Sequence, residues 1–225
     1  MTGHSLDRPI WAALTTKQAD LASGGPRAMR FPADISPFAA TPDDSPESLA
    51  ALAALIPSGT AFVTVGKSAA VPPDTTVEKA APLIQMHAVD LVAPEHSDEV
   101  IPLGDANAPE MLELATLTRP GPFLANTHRL GRFIGIRRDG RLAAMAGERL
   151  HVDGYREVSA VCTHPDFRGR GYAGLLSRIV ADRIRSEGET PFLHAYADNE
   201  AAIRLYEALG FRIARELVVQ MLRRD

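Results

Sequence analysis

The sequence contains a single cysteine, Cys162, among its 225 residues. One cysteine cannot form a disulfide within the chain and fits a reducing compartment, so we expect a cytoplasmic protein. Long apolar runs are also missing, since the longest, Leu49 to Ile56, is too short to cross a bilayer. The segment Met1 to Asp7 has neither a basic stretch nor an apolar core. We therefore expect neither a signal peptide nor a membrane partner.

A surplus of positive charge is missing as well. Residues 1–97 contain 6 Lys and Arg against 10 Asp and Glu, and residues 98–225 contain 18 of each. This balance argues against a nucleic-acid partner, because a phosphate backbone is bound by clustered basic residues. The seven histidines are scattered, and none has metal-ligand spacing with another or with Cys162. The sequence therefore predicts no metal site.

Residues 1–97 are rich in proline and weakly patterned. Helices are predicted around Leu14–Ala22 and over Pro46–Leu55, where Ser45 is the N-cap and Pro46 takes the first helical position. Two apolar runs, Ala61–Val65 and Leu83–Val89, predict strands. The proline-containing segment between them, 68–82, is predicted to be a loop. These residues are interpreted as a small N-terminal α/β region.

The pattern becomes clearer from residue 98 onward. Two short turn segments, Asp139-Gly140 and His151 to Gly154, predict hairpins that connect three antiparallel strands. Apolar residues at helical spacing follow Asp105 or Asn107 and recur after Gly174. The predicted order is strand, one or two helices, three antiparallel strands, helix, strand, helix and strand. The predicted strands are Val100–Leu103, Phe133–Arg137, Arg141–Arg149, Glu157–Thr163, Phe192–Ala197 and Phe211–Leu222, and the last helix is Asn199–Leu209.

The segment that points to a function runs from His164 to Ala173 and has the sequence HPDFRGRGYA. It links an apolar, β-branched run, Val158 to Thr163, to the start of a predicted helix. Glycines let backbone N–H groups approach an oxyanion closely, and a helix N-terminus adds partial positive charge. The segment therefore predicts a phosphate-binding turn. The alternative is a plain strand-to-helix connection with solvated arginines. A P-loop is excluded, because no lysine follows Lys79.

Residues 168–173 fit the pattern R-x-x-G-x-A, which resembles the acyl-CoA pyrophosphate loop, [QR]-x-x-G-x-[GA], of the GNAT superfamily of N-acetyltransferases. A second segment, Asp198 to Phe211, resembles the closing signature of that superfamily, N-x-x-A-x-x-x-Y-x-x-x-G-F. The order of the predicted helices and strands also resembles the order found in that superfamily. The resemblance covers residues 98–225 and implies a GNAT domain there. This is the acyl-CoA N-acyltransferase fold, a mixed, mostly antiparallel α/β sheet with helices on both faces. Residues 1–97 are then either a separate region or a degenerate copy of the same fold.

The resemblance also implies acetyl-CoA as the acyl donor and assigns its contacts. The two strands around the phosphate helix would splay apart, and the pantetheine arm would enter the gap. The pyrophosphate would bind to the turn, and the arm would bind to strand backbone and to an asparagine. The implied contacts are Arg168, Gly169, Arg170, Gly171, Tyr172 and Ala173 for the pyrophosphate, and Val161, Cys162, Thr163 and Asn199 for the arm.

Two residues are candidates for catalysis. The resemblance places Tyr206 beside the sulfur as general acid, and a phenol is protonated at neutral pH. A tyrosine that packs on the helix face would occupy the same position. Glu157 stands eleven positions before Arg168, the distance at which the histone acetyltransferase branch has its general base. Glu148 is the rival base, and pairing of either glutamate with a nearby arginine is the structural alternative.

Other reactive side chains have simpler explanations. Cys162 suggests a nucleophile, but a small buried cysteine is the commoner explanation. His194 lies inside a predicted strand and is expected to be a core histidine. His151 and His164 lie near the expected mouth of the site, where either could touch a substrate.

The sequence therefore predicts an acyl-CoA-dependent N-acyltransferase that transfers acetyl to an amine by direct attack in a ternary complex. The acceptor is expected to be a small-molecule amine, with a protein amine as second choice. A non-catalytic acyl-CoA-binding module and a purely structural interaction domain are the alternatives. The oligomeric state stays open.

Overall fold

The computed structural model describes residues 4–94, 97 and 99–225, and over these residues the chain forms five α-helices and eleven β-strands. The helices are α1 (Pro9–Thr15), α2 (Pro46–Leu55), α3 (Ala108–Thr118), α4 (Tyr172–Ser186) and α5 (Glu200–Ala208). The strands are β1 (Ser23–Gly25), β2 (Ala28–Arg30), β3 (Ala39–Ala40), β4 (Ala61–Gly66), β5 (Thr75–Ala88), β6 (Val100–Leu103), β7 (Phe133–Arg138), β8 (Arg141–Val152), β9 (Tyr155–Thr163), β10 (Thr190–Tyr196) and β11 (Phe211–Arg224).

Eight strands form one sheet in the order β4-β11-β5-β10-β9-β8-β7-β6, and β1, β2 and β3 form a small antiparallel sheet. Within the larger sheet only β9 and β10 run parallel, and the other neighbours are antiparallel. This arrangement confirms the predicted mixed, mostly antiparallel sheet. The element order predicted for residues 98–225 is also confirmed.

Helices cover both faces of the larger sheet. Successive side chains of a strand point to opposite faces, so each face can pack against a helix. On one face, Leu176 and Val180 of α4 pack in a cluster with Ala146 and Leu193. On the other face, α1 packs against Leu150 and other residues of β8 and β10. Helix α3 contributes to a third cluster that contains Met145. The ends of the central strands are thereby enclosed between two helical layers.

Three predictions for the N-terminal residues can be compared with the structure. Helix α2 has the predicted bounds, and the Ser45 side chain accepts a hydrogen bond from the Ser48 N–H. The helix predicted over 14–22 is wrong: α1 ends earlier, where the Thr16 hydroxyl donates to the Ala12 carbonyl at 2.6 Å. The loop predicted over 68–82 is wrong in its second half, because β5 begins at Thr75. The first residues of β5 are mostly exposed, so they have no apolar periodicity that could signal a strand.

The predicted division at residue 97 falls between β5 and β6, which belong to the same sheet. Strand β5 lies between β10 and β11, and β4 pairs with the outer side of β11. The other sheet of the described N-terminal residues has only three short strands. The division stays a prediction, and the N-terminal strands contribute to the sheet that holds the candidate site.

The feature that positions the site is the separation of β9 from β10. These strands pair only at Thr190↔Tyr155, Pro191↔Arg156 and Phe192↔Glu157. Beyond these pairs the two strands diverge, so the facing backbone groups of the rest of β9 have no ladder partner on that side among the described residues. A ligand can enter the sheet at this opening between two central strands.

Candidate active site

Two adjoining cavities lie where β9 and β10 separate. The larger cavity has a volume of about 730 Å³ and the smaller about 160 Å³. Every predicted cofactor contact lines the larger cavity: Val161, Cys162, Thr163, Arg168, Gly169, Arg170, Gly171, Tyr172, Ala173 and Asn199. The two cavities share the residues Arg119, Pro120, Val161, Asn199, Ala202 and Tyr206. A ligand in one cavity is therefore in reach of a ligand in the other.

The turn before α4 presents unpaired backbone donors to the larger cavity. Gly169 and Gly171 have φ values of 77° and 78°, a left-handed conformation that favours glycine. Helix α4 makes its first backbone bond at Leu175, whose N–H donates to the Gly171 carbonyl. In the described part of the chain, the N–H groups from Gly169 to Gly174 have no hydrogen-bond acceptor. This cluster of free N–H groups at a helix N-terminus can bind an oxyanion.

Four arginines surround the same cavity without a carboxylate partner in the described residues: Arg119, Arg168, Arg170 and Arg178. The Nε atom of Arg178 is buried and has no hydrogen-bond partner, and the same holds for Oγ1 of Thr163. Buried polar atoms are normally paired. With these guanidinium groups and orphaned atoms, which have no partner among the described residues, the larger cavity is suited to an anionic ligand with several charges.

Sequence reasoning missed Arg119 and Arg178. Arg119 ends α3 in a left-handed conformation, with φ 52° and ψ 55°. Arg178 lies on α4, on the turn of the helix that faces the cavity. Neither residue belongs to a motif, so only the packing of α3 and α4 around the cavity reveals them.

A β-bulge aims the backbone of β9 at the site. Residues Met145 and Cys162 pair, as do Gly147 and Ser159, so β9 has one more residue between these pairs than β8. The bulge contains Ala160, whose φ of 51° is uncommon for a residue with a side chain. Val161, directly after it, lines both cavities. Nothing in the sequence signals the bulge, because alanine has no preference for this conformation.

Cys162 is buried, and burial raises the pKa of its thiol to about 11. A nucleophilic cysteine requires a lowered pKa. The structure therefore favours the packing explanation for Cys162 over a covalent role.

Asn199 and Tyr206 both line the two cavities. The Asn199 side chain accepts a hydrogen bond from the Ala202 N–H at 3.1 Å and begins α5. The Tyr206 ring packs edge-on against Phe211 at 6.1 Å between centroids. Burial, with a smaller contribution from Cys162, raises the pKa of Tyr206 to about 12. The phenol is therefore protonated where the two cavities meet, and both explanations of Tyr206, packing and chemistry, are compatible with its position.

The structure does not bring Glu157 to either cavity. Its side chain is fully buried, and its carboxylate accepts two bonds from Arg149, at 2.7 and 2.9 Å, and one from His194 at 2.7 Å. Burial acts to raise the pKa of Glu157, but the charge and hydrogen bonds of Arg149, with those of His194, outweigh it and lower the pKa to about 2. A general base must reach the proton it removes. The expected role of Glu157 as base therefore has no support from the geometry.

The other candidate side chains lie outside the cavity walls, with one exception. Glu148 is buried among Arg132, Arg156 and Arg183. His151 contacts Glu189 at 2.6 Å. His164 caps a short 3-10 turn by accepting a bond from the Asp166 N–H. The exception is His194, which is a buried, hydrogen-bonded histidine as expected and also lines the smaller cavity.

Over residues 4–94, 97 and 99–225, no group of three His, Cys, Asp or Glu side chains is arranged to hold a metal ion. Within the same residues, no helix combines the length and the apolar character that a membrane crossing needs.

A family profile and several solved structures are similar to this chain. A family profile described as FR47-like protein matches residues 133–219. A crystal structure of a GNAT-family protein from Novosphingobium aromaticivorans is 42% identical, covers 99% of this chain and 100% of that chain, and superposes with a TM-score of 0.92. A second structure, from Kribbella flavida, has a TM-score of 0.60 at 20% identity over 93% of this chain and 95% of that chain. At that identity the second structure shows the fold alone.

Sequence relatives match a shorter segment. The mycothiol acetyltransferase of Nocardiopsis dassonvillei is 36% identical over 91 residues, which are 36% of this chain and 27% of that protein. The ribosomal protein bS18-alanine N-acetyltransferase of Salmonella typhimurium is 36% identical over 77 residues, 34% of this chain and 51% of that protein. The chain thus spans only about a quarter to a half of these two relatives. One is named for mycothiol and the other for an alanine of ribosomal protein bS18.

Proposed function

Because this chain belongs to the GNAT family of acetyltransferases, we propose that it transfers an acetyl group from acetyl-CoA to an amine by direct attack within a ternary complex. The observation that supports this most is the set of N–H groups from Gly169 to Gly174, surrounded by arginines, all without partners among the residues that the structure describes. Coenzyme A carries a diphosphate and a further phosphate, so its negative charges can pair with the positive charges of this surface. Charge-assisted hydrogen bonds contribute about 1.5–3 kcal/mol each, so a few of them can hold the donor.

In this proposal the donor occupies the larger cavity and the acceptor the smaller one. The pantetheine arm would lie along β9, whose backbone beyond Glu157 has no ladder partner on the side of β10 in the described part of the chain. The thioester would then lie near Val161 and Tyr206, where the cavities meet. Held in this way, the two reactants meet at a high effective concentration.

The attacking amine must be neutral. Arg119 and Arg149 line the smaller cavity, and in the described part of the chain no Asp or Glu does. Nearby positive charge lowers the pKa of an amine and favours its neutral form. The amine nitrogen attacks the thioester carbon, the C–N bond forms, the C–S bond breaks, and the sulfur leaves as a thiolate that Tyr206 can protonate. The proton that the nitrogen loses restores the phenol of Tyr206, so no net proton is gained or lost.

The decisive experiment offers acetyl-CoA and a panel of amines to the protein and detects free thiol. We expect thiol release that depends on both substrates. A non-catalytic acyl-CoA-binding module would bind acetyl-CoA in calorimetry but release no thiol, and an interaction domain would bind none. We also propose that the protein works in the cytoplasm, where acetyl-CoA and a reduced cysteine are both expected.

Replacing Tyr206 with Phe removes the hydroxyl and keeps the ring that packs on Phe211. We expect kcat to fall by about 10²-fold, the lower range for general acid–base catalysis, with unchanged affinity for acetyl-CoA. Steady-state thiol release and calorimetry measure the two quantities. A kcat within about threefold of the unmodified protein would remove Tyr206 from the chemistry.

Replacing Cys162 with Ala should leave most of the activity, because the raised thiol pKa leaves almost no thiolate at neutral pH. We expect kcat within about threefold of the unmodified protein and a small loss of stability from the cavity left behind. Loss of thiol release in a variant that still binds acetyl-CoA would instead indicate a covalent step.

A further inference from the structure

Contacts along one edge and on one face hold the guanidinium group of Arg149 in place. Its Nε donates to Glu157 Oε2 at 2.9 Å, and its Nη2 donates to Glu157 Oε1 at 2.7 Å. The ring of Phe38 lies against the group, 4.9 Å from the guanidinium carbon. Glu157 is itself held by the Leu150 N–H and by His194. The arginine is therefore pre-positioned by a fully buried carboxylate.

The other edge of the same group is unused. Nη1 has no hydrogen-bond partner in the described residues and lies beside Gly121, 3.7 Å from the position that a Cβ atom would take there. Both Arg149 and Gly121 line the smaller cavity. An arginine presents two parallel N–H groups along its free edge, which match the two oxygens of a carboxylate. A rigid guanidinium on a cavity wall, with one edge that has no partner among the described residues, is suited to recognise such a group.

The rest of the cavity wall restricts the ligand further. Among the described residues, no Asp, Glu or Lys lines the smaller cavity, and its charged groups are Arg149 and Arg119. The apolar part of its remaining wall includes Phe38, Val65, Leu83, Leu150 and Val219, and the side chains of His194, Tyr196, Asn199 and Tyr206 add polar groups. A wall of this kind disfavours a dicationic amine such as a polyamine. The volume of about 160 Å³ is also below the range of about 300–1,000 Å³ found for sites of drug-sized ligands.

The geometry points to an acceptor that carries both an amine and a carboxylate, an amino acid with an apolar side chain, whose carboxylate binds to the free edge of Arg149. This inference rests on the proposed function, because it concerns the acceptor of the same reaction. The hydrocarbon part lies against the apolar wall and the amine faces the thioester. The products are the N-acetyl amino acid and coenzyme A, and the proton lost by the amine balances the proton gained by the thiolate. Glu157 then acts as a positioning residue for Arg149.

The first test compares leucine with leucinamide as acceptors for the unmodified protein. Leucinamide has the same shape as leucine but lacks the negative charge of the carboxylate. Its amine is no more basic than the amine of leucine, so a larger neutral fraction of the amine cannot explain a preference for leucine. We expect kcat/KM for leucine to exceed that for leucinamide by about 10- to 100-fold, the effect of one charge-assisted bidentate contact. The pair 4-aminobutyrate and propylamine tests whether the amine must be next to the carboxylate.

The second test changes Arg149 and Glu157 together. Replacing both with Gln removes two charges at once, so no buried charge is left unpaired, and it keeps amide groups that can pair. We expect the preference for leucine to fall to about onefold, mainly through KM, while the affinity for acetyl-CoA stays unchanged. Arg204→Gln is the matched control, since Arg204 is exposed on α5 and pairs with Glu200 outside both cavities. The control should keep the full preference.

A binding measurement makes the outcome independent of turnover. Leucine and leucinamide are titrated by calorimetry into the protein saturated with coenzyme A. Tighter binding of leucine, lost in the Arg149→Gln, Glu157→Gln variant, supports the inference. Equal binding or equal kcat/KM of the two compounds overturns it and leaves the acetyl transfer intact. Failure to bind acetyl-CoA overturns the proposed function itself, and the two failures are thereby distinguished.

Discussion

Replacing Gly171 with Leu is expected to abolish measurable binding of acetyl-CoA while the protein stays folded. Gly171 is exposed, its φ is 78°, and a Cβ atom at this position would have no atom of the described residues within 4 Å. A leucine side chain would therefore project into open space at the cavity wall, where we propose that the diphosphate binds, and would disfavour the left-handed turn that directs the N–H groups. Loss of two charge-assisted bonds, about 3–6 kcal/mol, weakens binding by about 10²–10⁴-fold. Titration calorimetry measures the change.

The chain offers a close control for backbone strain. Gly154 has a φ of 76°, is exposed, and has no atom within 4 Å of a Cβ position, but it lies in the β8–β9 hairpin outside both cavities. Gly154→Leu should show the same strain, about 1–2 kcal/mol, with unchanged binding. Circular dichroism and thermal unfolding confirm that both variants fold. Binding by the Gly171 variant equal to that of the control would remove the turn from the site.

The parts of the site that could be predicted from the sequence are those encoded by consecutive residues. The turn 168–173 and the helix start at Asn199 each combine glycine or cap positions with helical spacing, so their local structure follows from a short segment. The order of strands around them fixes where the two segments meet. Their shared cavity is the consequence, and Tyr206 lies at its junction with the smaller one.

The parts that could not be predicted depend on contacts between distant segments. Strand β5 pairs with β10 and β11, more than 100 residues later, and its exposed first half has no apolar pattern. Arg119 and Arg178 line the cavity because of how two helices pack. Glu157 was assigned by its distance to the turn, but its side chain pairs with Arg149 on the neighbouring strand. The spacing of residues along a strand predicts the face of the sheet on which a side chain lies. It does not predict which residue of the neighbouring strand pairs with that side chain.

Replacing Glu157 alone with Gln is expected to lower the free energy of unfolding by about 3–5 kcal/mol, because it leaves Arg149 without its counter-charge. The Arg149 side chain is only 13% exposed and Glu157 is 0% exposed, so water compensates little of the loss. Urea unfolding at neutral pH measures the difference. The double Gln variant should be more stable than this single variant, since it removes both charges. Glu200→Gln, which breaks an exposed pair with Arg204, should change stability by less than about 1 kcal/mol.

The same pair predicts a dependence of stability on pH. The pKa of Glu157 is about 2 in the folded protein and 4.5 ordinarily, so the folded state binds this proton less readily than the unfolded state. Its contribution is therefore complete above pH 4.5 and is lost as the pH falls toward 2. The unmodified protein should lose stability more steeply over this interval than the Glu157→Gln variant, which lacks the titrating group. Parallel curves for the two proteins would show that Glu157 is not held ionised by Arg149, and the positioning role would fall with that result.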